Sequence, residues 1–197
     1  MESQGYVLKD FPHSSHRWLL QKVGRHPTYL LEVGTWNGFL GQKLRELGHR
    51  VVGLEKDPLQ AAAARPFYQE LLVADLEALP PLPGAPFPLI LCGDVLEHTR
   101  EPEKVLTHLL TALEPGGRIL VTVPNVAFVS LRLVLLFGHF TYRQRGILDR
   151  THLRFFTKAS LLRLLHQQGL EVLQLRGLPP PLPLLWPGFA QGPGKPL

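Results

Sequence analysis

Hydrophobic positions along this chain follow two rhythms that take turns: short apolar runs of strand length, and segments in which apolar residues recur every three or four positions. A leading helix is expected over 14–23, then a strand over 29–33. From about Asn37 a helix places Leu40, Leu44 and Leu47 on one face and Lys43, Arg45 and Glu46 on the other, and Gly48 stops it as a C-cap glycine would. Strand 50–55, an alanine-rich helix over 58–64 and strand 70–73 follow. Residues 80–88 are too rich in proline for an element and read as a surface connection to strand 89–92. Glu101-Pro102 opens a helix whose buried stripe is Val105, Leu106, Leu109, Leu110 and Leu113, and Pro115-Gly116-Gly117 turns the chain into strand 118–123. Such alternation predicts an α/β fold, a doubly wound and mostly parallel sheet of Rossmann-like type with helices on both faces.

Beyond Asn125 the alternation breaks. A helix rich in Leu, Val and Phe leads into a basic, aromatic loop before a helix over 158–168 and a strand over 170–175. The expected organisation is one domain over 1–178 with a lid inserted at about 125–156, then a proline-rich tail over 179–197. The tail cannot supply a long central strand, so the sheet is expected to lack or shorten its last one.

Composition narrows the class. At 197 residues, 45% hydrophobic and 19% charged, the chain suits a single globular core. One cysteine, Cys92, leaves no internal disulfide and too few thiolates for a cysteine-based zinc site, so a reducing, cytoplasmic setting is the expectation. No secretory leader is read at the start, and the greasiest stretch, 126–137, is short for a membrane span and carries Arg132. The net charge is +5 and the pI near 9.6. Arg143, Arg145, Arg150, Arg154 and Lys158 cluster among Tyr142, Phe155 and Phe156. In decreasing weight that cluster suits a solvated face, a site for an anionic small or lipid-linked substrate, and a nucleic-acid contact.

The chemistry begins at the first strand. Leu30-Leu31-Glu32-Val33 runs into Gly34-Thr35-Trp36-Asn37-Gly38, and the second strand ends in Glu55. Glycines there allow positive φ and close approach of a ligand, and an acid ending the next strand can accept two ribose hydroxyls. The site is therefore one for a nucleoside cofactor. A dinucleotide needs Gly-x-Gly-x-x-Gly, and Trp36 and Phe39 stand where its glycines would be.

With these residues the chain resembles the class I S-adenosylmethionine-dependent methyltransferases, whose first motif runs Glu/Asp-x-Gly-x-Gly-x-Gly, Trp36 replacing the middle glycine. The resemblance implies S-adenosylmethionine as cofactor. It places Glu32 and the turn of Gly34, Thr35, Asn37 and Gly38 at the methionine part and Glu55 at the ribose, with Lys56 among the cofactor-binding residues. Asp75 would accept from the adenine amine, Leu76 would pack on the ring, and Cys92 and Asp94 would lie beside the sulfonium. Asp94, Glu97 and His98, at i, i+3 and i+4, would share one side of a helical turn, which suits a hard cation or an imidazole held for proton removal. A similar pattern occurs in metal-dependent O-methyltransferases of quinone biosynthesis and of small-RNA ends, and also in relatives with no reported metal; no metal is assigned. Asn125 is expected to cap the next helix or touch substrate. Residues 146–157 resemble a segment of bacterial methyltransferases, some encoded near glycan-assembly genes, and contribute Asp149 and His152 as further acid–base candidates.

Methyl transfer from a sulfonium is an in-line displacement, so the protein must align the partners, exclude water and, for a hydroxyl acceptor, supply a base. The expectation is methylation of a small or lipid- or glycan-linked acceptor, oxygen before nitrogen, with His98 and His152 as catalytic candidates. The rival is a non-catalytic cofactor-binding scaffold or a nucleic-acid-binding protein of the same fold.

Overall fold

The computed structural model describes residues 14–179; the predicted tail, apart from Pro179, lies outside them. Five strands, β1 (Tyr29–Val33), β2 (Arg50–Glu55), β3 (Glu70–Val73), β4 (Phe87–Gly93) and β5 (Leu113–Thr122), pair in the order β3-β2-β1-β4-β5. Every pairing is parallel. The helices are α1 (Ser15–Val23), α2 (Phe39–Glu46), α3 (Pro58–Ala64), α4 (Pro102–Thr111), α5 (Val129–Leu136) and α6 (Lys158–Gln167).

Continuous burial along β1 and β2 is what a strand covered on both faces requires. Side chains alternate between two cores. Leu31, Val33, Val52, Leu54 and Ile90 face one that includes Val105, Leu106 and Leu109 of α4 and Leu161 and Leu164 of α6. Leu30, Val51, Leu89 and Leu91 face the other, with Leu19 of α1, Leu40 and Leu44 of α2 and Ala61 and Ala64 of α3. Local chemistry sets several helix starts: Ser14 accepts from Arg17 N–H on α1, Asp57 caps α3 ahead of Pro58, and Thr157 with Ser160 forms a capping box on α6.

The structure departs from expectation in three elements. Residues 170–175 form no strand with any of the described residues: after Gly169 the chain runs on without pairing to them, and Leu173 is 73% exposed. Alternation says which face a side chain takes, not which neighbour its backbone finds. β5 starts earlier than expected, at Leu113, because Pro115-Gly116-Gly117 forms an irregularity within the strand, where the register against β4 shifts between Phe87 and Leu89. Asn125 caps a turn and not α5, its Oδ1 accepting from Ala127 N–H while Phe128 occupies the α5 N-cap. The segment after β5 closes on itself: Val126 N–H donates to Phe156 O at 2.8 Å, so an excursion carrying α5 begins and ends at one place. Among the described residues no helix is long and apolar enough to cross a membrane.

Candidate functional site

Strand order reverses direction between β1 and β4, and the carboxyl ends of these strands therefore open a crevice at the switch point of the sheet. The turn after β1 is drawn tightly to β2. Gly34 and Thr35 N–H both donate to Leu54 O, and Gly38 N–H donates to Thr35 O. Gly38, at φ +82°, ends the turn in the left-handed region, and a β-carbon there would sit 2.8 Å from Ala64 Cα. Trp36 also has positive φ, +48°. Its N–H donates to Glu55 Oε2 at 2.7 Å, while Asp57 N–H donates to Glu55 Oε1 at 3.0 Å. Two backbone donors thus aim the Glu55 carboxylate at the turn, each oxygen keeping a lone pair for a ligand hydroxyl. Asn37 Oδ1 is buried with no hydrogen-bond partner among the described residues, an acceptor inside the turn suited to a polar ligand.

Glu32 lies on the same sheet face as Glu55, two strands meeting at one point. It is buried and accepts from Tyr68 Oη at 2.9 Å. Burial pushes its carboxyl up to about 8, the Tyr68 hydrogen bond opposes this, and the nearby Glu55 charge adds to it. Tyr68 is a site residue that no motif announced. Its ring fills the space a β-carbon would need at Gly41, and at Gly53 it shares that space with Leu71 and Thr35. Asp75, two residues past β3, caps the turn that follows, accepting from Glu77 N–H at 2.9 Å. Leu76 belongs to the core, and Lys56 is exposed beside Glu55. The three acids thus lie at or just beside the carboxyl ends of three adjacent strands. A hollow of about 370 Å³ opens beside Asp75, with Glu77, Arg100 and Lys104 among its walls.

At the end of β4 the predicted triad separates. Asp94, at φ +55°, turns away to accept from Ser15 Oγ at 2.9 Å and Thr122 Oγ1 at 2.8 Å. Cys92 is enclosed in the core, where burial drives its thiol far above the ordinary range. A single turn of 3-10 helix, Leu96–His98, carries the other two members, and the excursion supplies the third partner, His152. Glu97, His98 and His152 bring ligand atoms within 4.8 Å of one another, a set able to hold a divalent cation. The excursion is strapped there: Leu153 and Arg154 N–H both donate to Glu97 O.

The two imidazoles stand edge to face, centroids 4.9 Å apart. His98 Nδ1 lies 3.2 Å from Thr151 O and His152 Nδ1 lies 3.0 Å from Ile147 O. A carbonyl can only accept, so each Nδ1 holds the proton and each Nε2 keeps its lone pair. Burial and then the His152 charge lower the His98 pKa, favouring the neutral base. Asp149 is buried and occupied by Thr151 N–H and Oγ1, which makes it a loop-former.

Comparison with known proteins fits this geometry. Residues 9–175 match a family model described as a methyltransferase domain. A ubiquinone biosynthesis O-methyltransferase of Aeromonas salmonicida is 25% identical over 168 residues, covering 82% of this chain and 71% of that protein. Two solved structures share the fold. Magnesium protoporphyrin IX methyltransferase of Synechocystis PCC 6803, with bound SAH, has a TM-score of 0.58 at 18% identity, covering 78% of this chain and 69% of that one. An Archaeoglobus fulgidus SAM-dependent methyltransferase has a TM-score of 0.60 at 16% identity, covering 78% and 66%.

Proposed function

The chain belongs to the class I S-adenosylmethionine-dependent methyltransferases, and from that premise we propose that it methylates an oxygen of a small or lipid- or glycan-linked acceptor, with His98 or His152 as base. The observation that carries the reading is the pair of imidazoles at the crevice, each with Nδ1 committed to a carbonyl and Nε2 left to take a proton. A hydroxyl acceptor needs such a base; an amine entering neutral does not. The name of the Aeromonas salmonicida relative, an O-methyltransferase, supports the same choice.

The cofactor supplies an electrophilic methyl on a sulfonium. Glu55, aimed by Trp36 and Asp57 N–H, takes the ribose hydroxyls, and Asp75, with one oxygen on its own turn, keeps the other for the adenine amine. Gly34, Thr35, Asn37 and Gly38 form the backbone cradle for the methionine part, above Glu32. The excursion closes the acceptor side and excludes water. As for metal, Glu97, His98 and His152 carry a base as readily as an ion, and no step here is drawn through one.

Incubation with radiolabelled S-adenosylmethionine and parallel sets of phenols, carboxylates and amines tests the proposal. Label on oxygen, lost in His98→Asn or His152→Asn, is the expected result. Label on nitrogen alone, or full turnover in both variants, would refute it. Cofactor binding with no transfer to any acceptor, together with a retained protein partner, would favour the scaffold reading.

A further inference from the structure

The basic residues that follow β5 differ in what they hold, and Arg154 holds backbone. Its Nε donates to Arg100 O at 2.9 Å, and its Nη2 donates to the same oxygen. A guanidinium is a planar, rigid fork, so two of its donors on one carbonyl fix direction as well as distance.

The excursion is tied to the turn after β4 by hydrogen bonds. Leu153 and Arg154 N–H donate to Glu97 O, at 2.7 and 3.0 Å, and His98 Nδ1 lies 3.2 Å from Thr151 O. These ties meet the turn at consecutive residues, 97 and 98, and two neighbouring points make a hinge. Arg100 O lies two residues beyond the hinge, so the Arg154 tie stops the excursion from swinging about it. Arg100 is itself held in place: its N–H donates to Glu77 Oε1, and Glu77 N–H donates to Asp75 Oδ1. What would swing is an imidazole. His152 Nδ1 bonds Ile147 O inside the excursion, so ring and excursion move together, while His98 stays with its own turn of 3-10 helix.

We propose that Arg154 is a positioning residue, holding the His152 imidazole edge to face with His98 through its grip on Arg100 O. Its bearing on turnover rests on the reading of these histidines as the base; the placement does not. A base must stand within hydrogen-bond reach of the proton it takes, and misplacement by about an ångström can cost about a hundredfold in rate. An arginine that merely solvates a surface would carry no such role, and its loss would change the net charge and little else.

NMR of the full chain, reading the ring protons of His98 and His152, tests the proposal, since an edge-to-face neighbour shifts those resonances by its ring current. His98→Asn and His152→Asn assign them. In Arg154→Met, which keeps the apolar stem and removes every donor, both sets should move toward the positions of an isolated histidine. Arg154→Leu serves should that variant lose its circular dichroism spectrum. Arg154→Lys retains one cationic donor for Arg100 O and should recover about half of the movement. With an acceptor found by the label assay, kcat should fall at least about tenfold in Arg154→Met while the KM for S-adenosylmethionine stays within about twofold. In the His152→Asn background the same substitution should cost less than about twofold. Ring resonances that stay in place in Arg154→Met, or that move as far in Arg154→Lys, would overturn the proposal. Where His152→Asn lowers turnover, a kcat loss undiminished in that background would overturn it too. Turnover untouched by His152→Asn would instead remove His152 as base, and the resonances would still decide the placement.

Discussion

Replacing Glu32 by Gln should remove a pH dependence from the stability of the free protein. In the fold the Glu32 carboxyl is pushed up to about 8 by burial, against 4.5 for an exposed glutamate. Tyr68, itself raised well above 10, stays a phenol and donates throughout. Between these two pH values the folded chain holds a proton that the unfolded chain has lost. The Glu32 contribution to stability is therefore greatest below pH 4.5, declines as pH rises through the window, and levels off above pH 8. Integrated to pH 7 the loss is on the order of 3 kcal/mol, a large share of a typical domain's stability. Gln has the same shape, keeps an acceptor for Tyr68 and cannot ionise. Urea unfolding of both proteins without cofactor, at intervals from pH 5 to 8.5, gives the difference directly and cancels other titrating groups such as His98. The variant should nearly match the parent at pH 5 and exceed it by a margin that grows with pH. Parallel curves separated by a constant would mean that Glu32 is ionised in the fold, and the account of the Glu32–Tyr68 pair would be wrong.

The same proton has a functional signature: if the methionine ammonium draws Glu32 into its ionised form, calorimetry of S-adenosylhomocysteine at pH 7 in buffers of differing ionisation enthalpy should register proton release, which Glu32→Gln abolishes. Glu55→Ala leaves Trp36 and Asp57 N–H without their acceptor and should weaken that binding at least about tenfold, whereas His152→Asn should leave it within about twofold. His98→Asn should cut turnover by about a hundredfold or more, and the parent pH–rate profile should stay flat down past pH 6.5 before falling, since burial lowers the His98 pKa; a rate that falls already above pH 7 would assign the base elsewhere. Gly38→Ala combines a left-handed φ with a clash against the α3 backbone and should cost about 2 kcal/mol in chemical denaturation.

Much of the fold could be read along the chain because it is specified locally. The buried runs of β1, β2 and β4 and the stripe of α4 act over a few residues, and the structure keeps them almost position for position. Where a partner decides, the pattern misled. Residues 170–175 are apolar enough for a strand, yet among the described residues no strand pairs with them.

The site divides in the same way. Glycines after β1 and acids at or just beside the carboxyl ends of β1, β2 and β3 were legible, because backbone room and carboxylates at strand ends are demands of the local chain. Nothing in the order of residues linked Tyr68 to Glu32, 36 positions away, or reserved Gly41 for its ring. Likewise Asp94, Glu97 and His98 look like one face of a helix until Ser15 and Thr122 claim Asp94 and the excursion delivers His152. Sequence determined the class of cofactor site, since that rests on residue type at strand ends; the tertiary structure alone chose the protonation of Glu32 and the pairing of the histidines, since both depend on burial and on contacts between distant segments.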